Sequence, residues 1–166
     1  MLELCTTELG AIIGAVTAAD LALDNQLCFA LHAASRRVTA AYRPLLDEVG
    51  LTYPQYVVML ALWEHDGVAV RDLGARLFLD SGTLSPLLVR LEEAGLLSRS
   101  RQDPDDGRRL TVSLTPAGHA LRAEAERIHC TLYEAMPLDP AEVDALRTLA
   151  RRLLEPSHTP TTEHHT

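Results

Sequence analysis

The order of helix, turn, helix and hairpin signals in the middle of the chain restricts its fold more than any other feature. A short helical segment over 70–78 precedes the turn-forming sequence LDSG, and a second helical segment then runs to Gly95. Because Pro86 must lie in about the first turn of that helix, its cap is expected between Ser81 and Thr83. LLSRSR and RLTVSLT then have the alternation of strands, and the loop between them, QDPDDGRR, contains the Pro and Gly of a hairpin connection.

The second helix of this pair has a polar start, which indicates what it contacts. Ser81, Thr83 and Ser85 lie near its beginning, and Arg90 follows further along. A helix that reads DNA places its N-terminal side chains against base edges in the major groove, and a hairpin directly after it is a wing. The pattern therefore predicts a helix-turn-helix that binds double-stranded DNA through these side chains.

The net charge of −8 argues at first against nucleic acid, but its distribution weakens that argument. Every basic residue is Arg, and between Gly67 and Thr115 seven Arg balance seven acids. The whole negative excess therefore lies outside the predicted DNA-binding segment. Arg is also the better side chain for bidentate contacts to phosphate and guanine.

Caps and helix breakers place the remaining helices. The first is expected from about Asp24 to Val49, with Asp24 or Asn25 as its cap, Gly50 at its end and a bend or interruption at Pro44. Later helices are expected from a capping box at Thr52 to about Gly67, from Thr115 to about Met136, and from Leu138 to about Glu155. The tail over 156–166 is poor in apolar residues and is expected to be disordered.

Composition narrows the class of protein. The chain has 166 residues, 47% of them hydrophobic and 23% charged, as expected for about one globular domain. No apolar run reaches the about 18 residues of a membrane span, and the start of the chain lacks the basic region of a signal peptide. A cytoplasmic protein without membrane contact is the simplest interpretation. Cys5, Cys28 and Cys130 are far apart, so no zinc site or other cofactor is expected.

At this point the sequence resembles a known family. The order of elements, together with LDSGTL and LTPAG, is similar to the MarR family of winged-helix regulators. Within that family, LDNQLCFAL and LTYPQY resemble the organic hydroperoxide regulators (OhrR type), over about residues 21–155. The resemblance implies a mainly α-helical fold with a small β wing. It also implies an obligate homodimer in which each protomer binds one half-site of a pseudo-palindromic operator.

The family also implies a division of the chain. Residues 1–20 are an N-terminal extension, and 53–114 form the winged helix-turn-helix domain. Helices over 21–52 and 115–155 form the dimer interface. In the wing, Asp106 is expected to orient Arg108, which enters the minor groove, while Arg109 contacts phosphate. The other interpretation of these three residues is a solvated charged turn.

Cys28 has two interpretations. A free cysteine is commonly a small buried hydrophobe, and that is the default from the residues alone. The resemblance implies instead that the Cys of LCFAL reacts with an organic hydroperoxide, which acts as the inducer. The position suits this chemistry, because the amides of a helix's first turn favour a thiolate, and a thiolate is oxidised by peroxide to a sulfenic acid.

Three further residues are expected to support that thiolate. In the family, tyrosines at the positions of Tyr42 and Tyr53 hydrogen-bond the reactive cysteine across the dimer interface. Tyr42 lies 14 residues after Cys28, about 21 Å along a straight helix, so only a partner chain could supply it. His32 stands where some members have Tyr, one helical turn from Cys28. The alternatives are core aromatic residues and a solvent-facing histidine.

The resemblance to the two-cysteine members implies that Cys130 resolves the sulfenic acid in an intersubunit disulfide. Cys5 is the competing candidate, because its extension could also reach Cys28. Two other functions stay open: a MarR-type regulator that binds a small phenolic ligand, with Cys28 inert, and a thiol peroxidase, which the wing does not suit. Neither an enzyme nor a metal site is expected, since His158, His164 and His165 lack acidic or thiol partners at ligand spacing.

Overall fold

The computed structural model describes residues 20–101 and 110–155. The chain divides after Ile128 into two compact units. In the described ranges, no helix is both long enough and apolar enough to cross a membrane.

The first unit contains a short 3₁₀ turn, several helices and one small sheet. The helices are α1 Leu27–Asp47, α2 Tyr53–Glu64, α3 Val70–Leu77, α4 Ser81–Glu93, α5 Pro116–Ala120 and α6 Arg122–Glu134. The last of these, α6, continues into the second unit. The strands are β1 Val68–Ala69, β2 Leu97–Arg101 and β3 Leu110–Leu114. The second unit contains α7, Pro140–Arg152. The sequence-based prediction of a mainly α-helical fold with a small β wing is confirmed.

Local signals predicted several helix starts correctly. The capping box at the start of α2 is present, and the Thr52 N–H donates to Gln55 Oε1 over 2.8 Å. A second capping box opens α7, where Asp139 and Glu142 exchange hydrogen bonds of 2.9 and 2.8 Å. Thr115 caps α5 by accepting a hydrogen bond from the Gly118 N–H. These bonds satisfy amides that a helix start otherwise leaves unpaired.

The start of α1 differs from the prediction. Its N-cap is Gln26 rather than Asp24 or Asn25, because residues 23–25 form a 3₁₀ turn first. The Gln26 side chain donates to the carbonyl oxygens of Asp20 and Ala22 and therefore braces the turn instead of capping the helix. The expected cap assignment is wrong.

Two predictions about helix continuity are also wrong. The helix α1 is not interrupted at Pro44, since it continues through this residue to Asp47 despite the one internal hydrogen bond that the missing N–H removes. The alternative of a bend at Pro44 stays a prediction. It ends at Asp47 rather than Val49. Conversely, the long helix expected after Thr115 is divided at Leu121 into α5 and α6.

The core of the first unit forms around α2. Six of the 12 residues of α2 are buried, because its sequence is apolar on nearly every side. Side chains from α4 and the sheet pack in the same cluster, among them Leu84, Leu88, Leu91, Leu97, Val112 and Leu114. The sheet has the antiparallel order β1-β3-β2, with Val68 opposite Val112 and Leu97 opposite Leu114. This core holds α4 and the base of the hairpin against α2.

Gly118 allows α5 to lie directly on the loop that follows α4. A Cβ at this position would stand 2.0 Å from the Leu96 carbonyl oxygen, so the backbone would have to move. The Gly118 carbonyl also accepts a 2.9 Å hydrogen bond from the Trp63 indole N–H. The LTPAG glycine therefore joins the core helix, the post-α4 loop and α5.

Gly118→Ala is expected to lower the free energy of unfolding by about 1–3 kcal/mol, the usual cost of overpacking, although alanine favours helix. Urea denaturation of the reduced protein measures this change. Ala120→Ser, in the exposed part of the same helix, is the control and should stay within about 0.5 kcal/mol of wild type. A Gly118→Ala protein as stable as the control would show that the close contact with Leu96 is easily relieved.

Candidate functional site

The helix α4 begins one residue earlier than predicted, because Asp80 is its cap. The Thr83 N–H donates to Asp80 Oδ1 over 2.8 Å, and the Thr83 hydroxyl lies 3.2 Å from Oδ2. These hydrogen bonds, the backbone one first, lower the pKa of the Asp80 carboxyl, which keeps it ionised at the positive end of the helix dipole. The cap is therefore not within Ser81 to Thr83, and LDSG is not wholly a turn.

The turn between α3 and α4 is formed by Phe78 and Leu79. Phe78 has the left-handed backbone angles φ 55° and ψ 36°, and the Leu79 N–H donates to the Gly74 carbonyl over 2.9 Å. A Cβ on Gly74 would lie 3.0 Å from the Leu79 carbonyl oxygen and 3.4 Å from Leu84. The absence of a side chain at Gly74 thus lets the two helices of the helix-turn-helix approach closely.

One side of α4 faces the core and the other is exposed. Leu84, Leu88 and Leu91 are buried. The predicted DNA contacts Ser81, Thr83, Ser85 and Arg90 are all on the exposed side. Of these, Thr83 already has its hydroxyl close to the cap carboxylate. The helix therefore presents a polar surface of the kind that enters a major groove.

The hairpin after α4 is present, but its tip lies outside the described residues. The strands β2 and β3 pair with the register Arg99 opposite Val112 and Arg101 opposite Leu110. Asp106, Arg108 and Arg109 fall in the undescribed stretch 102–109, so their predicted roles stay predictions.

Two acidic residues that the sequence interpretation missed hold the base of this hairpin. Asp66 Oδ1 accepts hydrogen bonds from the Gly67 and Leu114 N–H groups, at 2.7 and 2.8 Å, and its Oδ2 lies 3.3 Å from His119 Nε2. Glu92 forms an ion pair with Arg99. The Asp-Gly pair at 66–67 is a turn signal in the sequence. The hydrogen bond from Leu114, 48 residues later, to Asp66 leaves no local sequence pattern that could predict it.

Cys28 is the second residue of α1, and its side chain is exposed within the chain. The alternative of a small buried hydrophobe therefore does not hold in the single chain. His32 lies one turn later, is also exposed and shares this face of the helix. Across residues 20–101 and 110–155, no group of three His, Cys, Asp or Glu side chains could hold a metal ion.

Tyr42 and Tyr53 meet in a small aromatic cluster on the first unit. Their ring centroids are 5.2 Å apart, and Tyr42 is 5.5 Å from Tyr56, whose ring lies 6.3 Å from Trp63. Burial raises the pKa of Tyr53, and burial together with the nearby Tyr53 raises the pKa of Tyr56. Both phenols therefore remain protonated at neutral pH and can donate hydrogen bonds.

The unbroken course of α1 sets the reach of Tyr42. Cys28 and Tyr42 are 14 residues apart on one continuous helix, which corresponds to about 21 Å along the axis. A tyrosine side chain cannot span that length. Any hydrogen bond between Tyr42 and a Cys28 thiol must join two chains.

Cys130 lies on α6 and is exposed. The ring of its neighbour His129 contacts the Tyr133 ring in a tilted arrangement, with ring centroids 4.2 Å apart. Cys5 lies outside the described residues.

Exposed apolar side chains mark surfaces that other chains commonly cover. In the first unit several lie before and on α1, at Leu21, Leu23, Leu27, Phe29 and Val38, and others lie at Leu60, Phe78 and Val89. In the second unit most lie on and just after α7, at Leu146, Leu149, Leu153 and Leu154, and two more are Tyr133 and Leu138. The groups on α1 and α7 lie on helices that the family resemblance placed at a dimer interface. An open groove of about 700 Å³ also follows α1, lined by Phe29, His32, Ala33, Arg36, Arg37, Ala40 and Ala41.

A helix-turn-helix followed by a two-stranded hairpin, on a core that continues into long helices, defines a winged-helix DNA-binding protein. Comparison with known proteins agrees. Residues 40–124 match the profile of the "Transcriptional regulator SarA/Rot" family. The chain is 43% identical over 136 residues to the organic hydroperoxide resistance transcriptional regulator of Bacillus subtilis, covering 82% of this chain and 92% of the relative.

Two solved structures of AbfR, a protein of Staphylococcus epidermidis, are also similar. Reduced AbfR bound to DNA is 33% identical with a TM-score of 0.71, covering 84% of this chain and 94% of AbfR. Disulfide-formed AbfR is 34% identical with a TM-score of 0.58, covering 82% and 90%. The chain therefore belongs to the MarR family of winged-helix transcriptional regulators, in the branch of the organic hydroperoxide regulators.

Proposed function

We propose that this protein is a homodimeric transcriptional repressor that binds operator DNA when reduced and releases it when an organic hydroperoxide oxidises Cys28. The observation that carries the proposal is an exposed thiol in the first turn of a long helix, in a chain with a helix-turn-helix and a hairpin. The Bacillus relative, named for organic hydroperoxide resistance, supports the choice of inducer.

The first chemical step takes place at the Cys28 sulfur. The thiolate attacks the terminal oxygen of the hydroperoxide, the O–O bond breaks, and the alkoxide leaves and takes up a proton as an alcohol. Sulfur is oxidised to the sulfenic acid, and the peroxide is reduced. The amides at the start of α1, which have no partner within the helix, stabilise the thiolate before the reaction.

Side chains of the partner subunit complete the thiol site. The Tyr42 and Tyr53 rings lie 5.2 Å apart, so two phenols can reach one sulfur together. A protonated phenol donates to the thiolate and then to the departing alkoxide oxygen. His32 of the same subunit as Cys28 lies on the same helix face and contributes a third hydrogen-bonding group.

The second chemical step forms a disulfide between subunits. The Cys130 thiol of the partner subunit attacks the sulfenic sulfur, an S–S bond forms, and water leaves. The exposure of both thiols allows this attack, and a disulfide form of a similar protein, AbfR, supports it. The new covalent link moves the helices of the dimer and changes the distance between the two recognition helices.

Operator recognition assigns different roles to the two parts of the winged domain. The exposed face of α4, with Ser81, Ser85 and Arg90, enters the major groove, and Thr83 stabilises its start. In the wing, Asp106 orients Arg108 into the minor groove and Arg109 contacts phosphate. Two protomers then read a pseudo-palindrome, because the dimer axis relates their recognition helices.

Arg108→Ala is expected to weaken operator binding by about 1–3 kcal/mol, the range of one good groove contact. Fluorescence anisotropy with labelled operator at fixed salt measures this loss. The wild-type protein at the same salt concentration is the reference. An operator affinity of Arg108→Ala equal to that of the wild type would exclude Arg108 from the DNA interface.

A regulatory role also implies a cellular location and the absence of catalytic turnover. Because its ligand is operator DNA, we place the protein in the cytoplasm. It is not an enzyme in this proposal, since each thiol reacts once and waits for reduction.

A second candidate function is a regulator that binds a small phenolic ligand without reacting with it. The groove along α1 favours this alternative, because its Phe29 and alanine side chains lie beside Arg36 and Arg37, which could bind an acidic aromatic compound. Under this alternative, ligand would release the operator from a protein whose Cys28 stays reduced.

The two functions differ in one experiment on the wild-type protein. Reduced protein is bound to labelled operator, and cumene hydroperoxide or salicylate is added in turn. The proposed function predicts release by the hydroperoxide, a covalent dimer on a non-reducing gel, and renewed binding after dithiothreitol. Release by salicylate with every thiol still reduced would favour the phenolic ligand instead.

A further inference from the structure

Glu92 and Arg99 connect the recognition helix to the wing by three hydrogen bonds. Glu92 lies at the end of α4, and Arg99 is the central residue of β2. The Arg99 N–H donates to Glu92 Oε1 over 3.0 Å, while Arg99 Nε and Nη2 donate to Glu92 Oε2 over 2.9 and 2.6 Å. One carboxylate therefore holds both the backbone and the side chain of the strand.

This contact is better formed than an ordinary surface ion pair. The side chains are only 23% (Arg99) and 36% (Glu92) exposed, and the strand residue opposite Arg99 is Val112, which is fully buried. The hydrogen bonds from Arg99, first through its side chain and then through its backbone, lower the pKa of the Glu92 carboxyl. A fork-like guanidinium held by an ionised carboxylate has a defined geometry, whereas most exposed pairs do not.

We infer that Glu92 and Arg99 are positioning residues for DNA binding, and that their contact sets the angle between the recognition helix and the wing. This inference rests on the proposed function and adds to it. A recognition helix in the major groove and a wing in the minor groove must fit the same duplex at once, so the angle between them affects operator affinity. Arg99 itself does not contact phosphate, although it lies in the neutral, Arg-rich segment.

Three variants separate positioning from charge. Glu92→Gln is isosteric and keeps an oxygen that can accept from the Arg99 N–H, but it loses the ionic half of the contact. Glu92→Ala loses both halves. Glu93→Gln is the matched control, because Glu93 is the next residue and is exposed. This substitution removes the same negative charge from the same helix end.

The measurements are affinities of the reduced dimer for operator DNA and for a scrambled duplex across a series of salt concentrations. Glu92→Gln is expected to bind the operator about 2- to 30-fold more weakly than Glu93→Gln does, which is the range for residues that act through a packed network. Glu92→Ala should bind the operator more weakly still. For the scrambled duplex, Glu92→Gln and Glu93→Gln should be equal. Operator affinities that are also equal would overturn the inference.

Arg99→Met distinguishes an indirect role from a phosphate contact. It retains an unbranched apolar side chain on β2 but removes the guanidinium. A positioning residue lowers affinity for the operator and leaves the binding of scrambled DNA unchanged, whereas loss of a phosphate contact weakens both duplexes and reduces the slope of log affinity against log salt by about 1 for scrambled DNA as well. A smaller slope for scrambled DNA would overturn the inference, and so would a loss of affinity that is equally large for scrambled DNA.

A double-mutant cycle with Arg108→Ala tests whether the contact acts through the wing. If it does, the effect of Glu92→Gln should largely disappear once Arg108 is removed, and strict additivity would contradict the inference.

Failure of the proposed function has a different signature, since the wild-type protein would then show no preference for operator over scrambled DNA. Equal melting temperatures of Glu92→Gln and Glu93→Gln would show that the affinity change does not come from partial unfolding.

Discussion

Cys28→Ser is expected to bind the operator as tightly as the wild-type protein and to stay bound after an organic hydroperoxide is added. Serine has nearly the shape of cysteine, so the start of α1 should be unchanged. Its hydroxyl is not ionised at neutral pH and cannot form the sulfenic acid, so no signal arises. The wild-type protein should lose about 5- to 150-fold in operator affinity under the same treatment, the usual size of an allosteric coupling.

Anisotropy titrations of labelled operator, before and after one equivalent of cumene hydroperoxide per thiol, measure this difference. Ser35→Ala is a suitable control, because it lies on the same helix two turns after Cys28 and leaves the thiol in place; it should respond like wild type. Release of the Cys28→Ser protein at the wild-type dose would place the sensor elsewhere. Mass spectrometry of the reacted thiols would then identify it.

Cys130→Ser is expected to abolish the covalent dimer that hydroperoxide produces, while Cys5→Ser leaves it intact. The reason is that Cys130 is an exposed thiol on α6, one of the helices expected at the dimer interface. A disulfide requires Cα atoms within about 7 Å of each other. If the reduced dimer holds Cys28 and the partner subunit's Cys130 farther apart, bond formation must move a helix, and that movement releases DNA.

Non-reducing gels of the two variants after cumene hydroperoxide test this assignment. In Cys130→Ser, the Cys28 sulfenic acid should persist and react with dimedone, so the first chemical step can be seen separately. A covalent dimer that survives in Cys130→Ser and disappears in Cys5→Ser would assign the resolving role to Cys5. If the covalent dimer persists in both variants, the disulfide joins two Cys28 residues.

The sequence by itself determined the order and type of nearly all elements, because their signals are local. The capping box at Thr52, and Thr115 before Pro116, each act within four residues, so they predicted where α2 and α5 begin. Alternating apolar residues around a Pro- and Gly-containing loop predicted the hairpin strands. The place of Cys28 in the first turn of α1 also followed from the sequence, although the cap that starts this helix did not.

Tertiary structure decided what depends on contacts between distant residues. Nothing near Glu92 in sequence reveals that its carboxylate accepts three hydrogen bonds from a strand seven residues later, and nothing near Asp66 reveals its bond to Leu114. The start of α1 at Leu27, after the Gln26 cap, was likewise predicted wrongly, because an unexpected 3₁₀ turn precedes it. The possible interruption at Pro44 was also wrong, since the helix continues to Asp47. The exposure of Cys28 and the meeting of Tyr42 with Tyr53 depend on how α1 packs against α2, which helical periodicity alone does not specify.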